Sequence, residues 1–291
     1  MHKSPVIGIL AGLVAASIWG GMYVVSKVIL EIIPPFTLLS SRLILGAFTL
    51  GLVALFQKDV QWTRKMLRDA FLVGLVGYGV SLSLQFVGTK LSTASNGALV
   101  TSATPAFVLL FAPYLLGEKN TPRRMLALVI STFGVIAVID PRTAELSPSL
   151  FWGNLSLFGA GLTWALYSVL VRKVSSSGGV LAASTIMLIG GLPLSLPLTA
   201  LEITTTGLGA ITPGVIAGIL FLGIISTALA MFLWNYAFAK LPAAVASLTF
   251  FAQPVVGTIL GWLFLNERIT PLFLLGGVMI AIGLVIASLQ Q

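Results

Sequence analysis

The chain is expected to fold as an all-α polytopic membrane protein, with ten transmembrane helices arranged as two inverted five-helix repeats. Composition sets the class. Of 291 residues 57% are apolar and 8% charged, with a mean hydropathy of +1.07, whereas soluble domains carry about 25% charged residues. A duplication sets the architecture. Pro105, Glu118, Thr121, Pro122 and Gly134, in the stretch from Ser92 to Gly134, return 149 positions later as Pro254, Glu267, Thr270, Pro271 and Gly283, and basic Lys119 returns as Arg268. A shift of 150 pairs Gln85, Phe86, Lys90 and Leu91 with Asn235, Tyr236, Lys240 and Leu241. So many matches in register mark two copies of one unit, and an internal repeat constrains the fold before any single motif does.

About 20 apolar residues are needed to cross the hydrocarbon core. The chain divides into such runs at 6–28, 36–56, 69–88, 93–116, 123–140, 151–173, 180–200, 212–238, 242–265 and 271–289. Met1–Pro5 is short and weakly basic, and no small-residue cleavage site follows the next apolar run, so the first run is expected to be a retained span. The first unit takes residues 1–140 and the second 150–291. Residues 141–149, rich in Pro, Ser and charge, form the external linker loop between them.

The net charge of +8 comes without a basic cluster interleaved with aromatics, so nucleic acid is not an expected partner. Its distribution orients the chain instead. With both termini cytoplasmic, the inside holds Lys3, Lys58, Arg64, Lys65, Arg68, Lys119, Arg123, Arg124, Arg172, Lys173 and Lys240. The outside holds Lys27, Lys90, Arg142 and Arg268, and Arg42 stays within a span. That is a positive-inside bias. Five spans per unit is an odd number, so the second copy must enter the membrane upside down. The repeated corner agrees: the basic pair Arg123-Arg124 after Thr121-Pro122 becomes Leu272-Phe273 after Thr270-Pro271.

The duplicated set of two five-helix units, Trp19 and Trp164 in the first helix of each, Arg42 early in the second span, and Glu-x-x-Thr-Pro after each fourth helix resembles the EamA-type members of the drug/metabolite transporter superfamily. The resemblance covers nearly the whole chain and is nearest to the YddG-like amino-acid exporters. It implies a ten-helix exporter of amino acids or related metabolites, with a central cavity lined mainly by the first, third, fourth, sixth, eighth and ninth helices. The chain departs from perfect duplication at Arg42, which has no basic counterpart in the seventh span.

Polar groups inside a bilayer must face protein or a water-filled path. On that ground the candidate substrate contacts are Trp19 and Tyr23 in the first span, and Tyr78, Ser81 and Gln85 on one face of the third. Asn96 and Thr101 follow in the fourth, Trp164, Tyr167 and Ser168 in the sixth, Thr227, Trp234 and Asn235 in the eighth, and Thr249 and Gln253 in the ninth. Isolated Ser and Thr also serve as packing glue between helices, so the large amides Gln85, Asn96, Asn235 and Gln253 weigh more. Trp62, Trp152 and Trp262 fit an interfacial belt. Arg42 lies near the outer boundary, where its side chain could snorkel outward or pair with Glu31; the sharper reading is a contact for a substrate carboxylate. Pro105 and Pro254 are expected as mid-span kinks and hinges. Glu118 and Glu267 are expected to cap or pair locally at helix ends.

The acids fall in loops or at span ends and His2 in the N-terminal tail, so facilitated diffusion or exchange is expected over proton-coupled transport. The expected partners are a small-molecule solute and the lipid bilayer of a prokaryotic inner membrane. Neither cofactor nor metal is called for, and the oligomeric state is left open, a monomer being compatible. No catalytic constellation points to an enzyme. A multidrug or lipophilic-compound efflux carrier and a channel are the alternatives.

Overall fold

The computed structural model describes residues 5–56, 62–92, 103–139, 150–265 and 271–288, and the described residues are helical throughout, joined by short turns. The segments are α1 (Pro5–Leu30), α2 (Pro35–Leu55), α3 (Arg64–Leu91), α4 (Thr104–Leu116), α5 (Pro122–Ile139), α6 (Phe151–Gly178), α7 (Val180–Thr205), α8 (Pro213–Lys240), α9 (243–265) and α10 (Pro271–Ser288). Within α1, α2, α3, α6, α7 and α8 lie six stretches long and apolar enough to cross a membrane. Large apolar side chains such as Phe48, Val53, Phe133, Leu274, Val278 and Val285 cover the outside of the bundle, as a lipid-facing surface requires.

Helix ends follow local chemistry. Thr63 accepts from Met66 N–H to start α3, and Thr212 from Val215 N–H to start α8. In the repeated corner Thr121 accepts from Arg124 N–H while Pro122 takes the first position of α5, where a missing N–H costs nothing. Gly117, at φ 67°, ends α4 in the left-handed region that glycine enters freely.

Two span expectations change. The third helix begins at Arg64, five residues before the expected 69, because the Thr63 cap starts it in an amphipathic turn. Pro105 sits in the first turn of the described α4, after a turn at Ala103. Residues 93–102 of the expected fourth span lie outside the described residues. Pro254 sits in the first turn of Ala252–Leu265, just after a 3₁₀ turn, Thr249–Phe251, that interrupts α9. Pro254 therefore follows a 3₁₀ interruption rather than bending a continuous α-helix. Further irregularity appears in π-helical turns at Leu75–Ser81 of α3 and Phe221–Leu229 of α8.

The packing repeats itself. Helix α1 packs on α8 and α9, while α6 packs on α3 and α4; α2 packs on α7 and α8, while α7 packs on α2 and α3; α5 packs on α10. Exchanging α1–α5 with α6–α10 returns the same pairs. Direction differs between equivalents: α1 begins beside Leu241, against Gly8, and ends where Ile32 O accepts from Gly209 N–H. Helix α6 begins beside Leu91 and ends where Arg172 donates to Leu241 O.

The tightest equivalence is α5 on α10. Gly134 meets Gly276 and Ile280, and Gly283 meets Ala127 and Ser131; 276 and 280 are 127 and 131 advanced by 149. A Cβ on Gly134 would fall 2.7 Å from Gly276 O, and one on Gly283 would fall 2.8 Å from Ala127 O. Gly134→Leu and Gly283→Leu should each destabilise the fold by about 1–3 kcal/mol, since overpacking forces backbone shifts. Thermal unfolding in detergent checks this, and unchanged midpoints in both variants would refute the contact.

Candidate functional site

An aromatic stack occupies the middle of the bundle. Trp19 of α1 meets Trp164 of α6 edge-on at 5.6 Å and Trp234 of α8 at 5.3 Å, and Phe250 lies 6.2 Å from Trp19 and 5.6 Å from Trp234. Beside it is a small chamber of about 40 Å³, room for a few waters, lined by Trp19, Met22, Arg42, Ser81, Leu82, Gln85, Thr104, Ala160, Gly161, Trp164, Met231, Phe250 and Gln253. Met22, Arg42 and Gln85 also line a vestibule of about 630 Å³. It opens along Ser26 and Glu31 of α1 and its following turn, Phe86, Thr89 and Lys90 of α3, and the turn Thr206–Gly209. A volume of that order suits a small-molecule site.

Arg42 joins the two cavities. It is 2% exposed and does not snorkel to the surface. Its Nε donates to Thr227 Oγ1 at 3.1 Å, its Nη2 reaches Ser226 Oγ at 3.3 Å and Met22 Sδ at 3.2 Å, and its guanidinium lies 5.8 Å from the Phe86 ring centroid. Arg42 is the charged residue among the described chamber-lining residues. The π-helical turn of α8 shapes this contact: Thr227 Oγ1 donates to Leu222 O five residues back, leaving its lone pair for Arg42.

The opposite end is closed by charge. Glu118, just past α4, accepts Ala243 N–H at the start of α9 on both oxygens, at 3.0 and 3.1 Å. Arg172 stands 3.2 Å and Arg124 3.7 Å from its carboxylate, and Arg172 also donates to Leu241 O. Residues 243–251 behind this clamp are buried without exception. Glu202 plays a matching role at the vestibule end, accepting Phe36 N–H at 3.0 Å and Thr37 N–H at 2.8 Å to cap α2. Both carboxylates satisfy helix N-terminal donors that have no intrahelical partner.

The EamA-like transporter family matches residues 6–139 and again residues 151–289. The chain belongs to this family. Similar proteins include the uncharacterized transporter YyaM of Bacillus subtilis (strain 168), 26% identical over 84% of this chain and 81% of that one. The uncharacterized transporter YoaV of the same organism is 24% identical over 96% of each chain. Protein PecM of Dickeya dadantii (strain 3937) is 27% identical over 94% of this chain and 90% of its own. A crystal structure superposes with a TM-score of 0.80 at 20% identity, covering 97% of this chain and 96% of that one, and so shares the fold. The chain is accordingly an integral, multi-pass membrane transporter of the EamA-like family.

In this EamA-like chain the sequence candidates divide by position. Trp19, Arg42, Ser81, Gln85, Trp164 and Gln253 line the chamber. Tyr78, Tyr167 and Asn235 do not: they are fully buried in a knot between α3, α6, α7 and α8. There Tyr167 OH donates to Asn235 Oδ1 at 2.6 Å, Asn235 Nδ2 donates to Ser184 Oγ at 2.9 Å, and the two tyrosine hydroxyls bond each other. Ser168 accepts from Trp234 Nε1, and Thr249 donates to Ala246 O in the 3₁₀ turn, so both serve the scaffold. Asn96, Thr101 and Glu267 lie outside the described residues, as does the side chain of Tyr23 in α1.

Sequence reasoning missed Met22, Ser26, Thr104, Met231 and Phe250. Thr104 carried a usable signal, since it and Gln253 are the residues before the two repeated prolines, 149 positions apart, and both line the chamber. Among the described residues no cluster of three His, Cys, Asp or Glu is placed to hold a metal ion. Asn235→Ala would strip the tyrosine and serine hydroxyls of their partner, costing about 1–3 kcal/mol. The expected outcome is a lowered thermal midpoint with unchanged solute preference; the reverse would put Asn235 on the solute path.

Proposed function

We propose that this EamA-like chain is a secondary carrier exporting amino acids or related small amphipathic metabolites that bear a carboxylate, by alternating access between two inverted repeats. The observation that carries the reading is Arg42, a buried guanidinium at the junction of vestibule and chamber, framed by aromatic and amide side chains. A guanidinium offers paired donors that match a carboxylate. The aromatic wall suits the rest of an amphipathic solute, while the buried positive charge disfavours lipophilic cations. That favours metabolites over multidrug efflux. Phosphorylated solutes would call for more than the single cation on the described chamber wall.

The exchange symmetry of the helix contacts and the antiparallel pairing of α5 with α10 support ten membrane crossings in two inverted units, 1–140 and 150–291, about an external linker at 141–149. Such repeats place the solute site near the midplane. With the basic residues inside, both termini are cytoplasmic, the vestibule faces out and the Glu118 clamp closes the inner end, which makes this an outward-open conformation of an inner-membrane protein. Among the described acids Glu118 and Glu202 hold helix ends, Glu31 lines the vestibule and Asp69 pairs with Arg68 at the surface, which favours facilitated diffusion or exchange over proton coupling.

Arg42→Gln should lower uptake of carboxylated solutes into proteoliposomes about 10- to 100-fold, the worth of a charge-assisted hydrogen bond, while neutral amphipaths of the same size change less than about twofold. Equal losses for both classes would remove the proposal. Saturable flux stimulated by solute on the far side would separate this carrier from a channel.

A further inference from the structure

Three indoles stack beside the chamber, and two of them spend their N–H inside the protein. Trp19 Nε1 donates to Ser226 O at 3.0 Å, and Trp234 Nε1 donates to Ser168 Oγ at 3.1 Å. Trp164 lines the chamber at 7% exposure, and its buried Nε1 has no hydrogen-bond partner. Across the chamber lining, Thr104 is fully buried with its Oγ1 also unpartnered. Buried or half-buried helical threonines such as Thr49, Thr89 and Thr185 show what is missing: each donates back to the carbonyl four residues earlier. Thr104 opens its helical segment after a turn and makes no such bond.

Orphaned buried polar groups are rare, because each costs about 1–3 kcal/mol. Of those among the described residues, Trp164 Nε1 and Thr104 Oγ1 belong to residues that line the same chamber. The indole N–H is a donor only, as is a guanidinium, so a bound group must present acceptors. A carboxylate presents about four lone-pair positions, enough for the guanidinium, the indole and a hydroxyl together. A primary alcohol or amine presents too few.

Resting on the carboxylate reading of Arg42, we propose that Trp164 Nε1–H and the Thr104 hydroxyl are specificity-determining contacts, both donating to the carboxylate of the transported solute. Thr104 and Gln253 then contribute equivalent positions from the two halves, each the residue before its repeated proline. The substrate class is thereby narrowed to amino or hydroxy acids with an unblocked carboxylate, as against their alcohols and amines.

The test uses the full chain in detergent, with affinity read from ligand-induced thermal stabilisation. The probes are L-leucine, L-threonine and L-phenylalanine, each beside its amino alcohol, leucinol, threoninol or phenylalaninol. The expected result is that the unmodified protein binds at least one acid about tenfold or more tighter than its alcohol. Thr104→Val and Trp164→Phe should each weaken the acid about tenfold and leave the alcohol within about twofold, with Thr104→Ser retaining acid binding. Equal losses on acid and alcohol, or no loss in either variant, would show that these groups merely bind water; the inference then falls while the Arg42 reading stands. An unmodified protein that binds none of the acids overturns both. The midpoints of the unliganded variants report folding separately.

Discussion

The close antiparallel crossing of α5 and α10 is the contact on which the arrangement rests. Gly134 meets Gly276 and Ile280 while Gly283 meets their counterparts Ala127 and Ser131, so one contact is made twice about a local pseudo-two-fold. A self-complementary contact between equivalent surfaces is what such an axis imposes. Because the two helices run in opposite directions, this contact supports the proposed inversion of the two units. The remaining pairs, α1 with α8 and α9, α6 with α3 and α4, are equivalent under the same exchange of halves. A cavity on such an axis draws its walls from the same helices of both halves, and Trp19, Trp164, Thr104 and Gln253 are arranged in that way.

Apolar surroundings turn helix ends into control points. A backbone N–H at a helix start has no water to fall back on within a bilayer, so Glu118 and Glu202 supply it, each reaching from one half of the chain to a helix of the other. The Glu118 clamp, with Arg172 and Arg124, holds one end of the bundle shut while the vestibule remains open at the other. Under the proposed alternating access, opening the closed end would part these charge contacts, and the 3₁₀ turn before Pro254 already interrupts α9 beside the chamber.

Helix positions were legible in the sequence because about 20 apolar residues between polar corners admit few alternatives, and Thr121-Pro122 starts a helix as its chemistry dictates. Chamber residues were legible where a large polar or aromatic side chain sat deep in a span, as with Trp19, Gln85, Trp164 and Gln253. Helical spacing alone could not tell a path-lining face from a helix–helix knot, since both bury polar groups. Tyr78, Tyr167 and Asn235 satisfy one another and so need no solute, which only the packing reveals. The burial of Arg42 was equally hidden, because distance from the span boundary does not say whether a long side chain turns outward or, as here, inward toward Thr227 and Ser226.

The absence of cysteine from the sequence makes inversion directly accessible. Lys119 and Arg268 occupy equivalent positions in the two repeats. Lys119→Cys and Arg268→Cys, each the sole thiol of its variant, can be labelled in cells or oriented vesicles with a membrane-impermeant maleimide. Inverted repeats predict that position 119 reacts only from the cytoplasmic side and position 268 only from the outside. Labelling of both from the same side would contradict the two-fold arrangement and, with it, the central site.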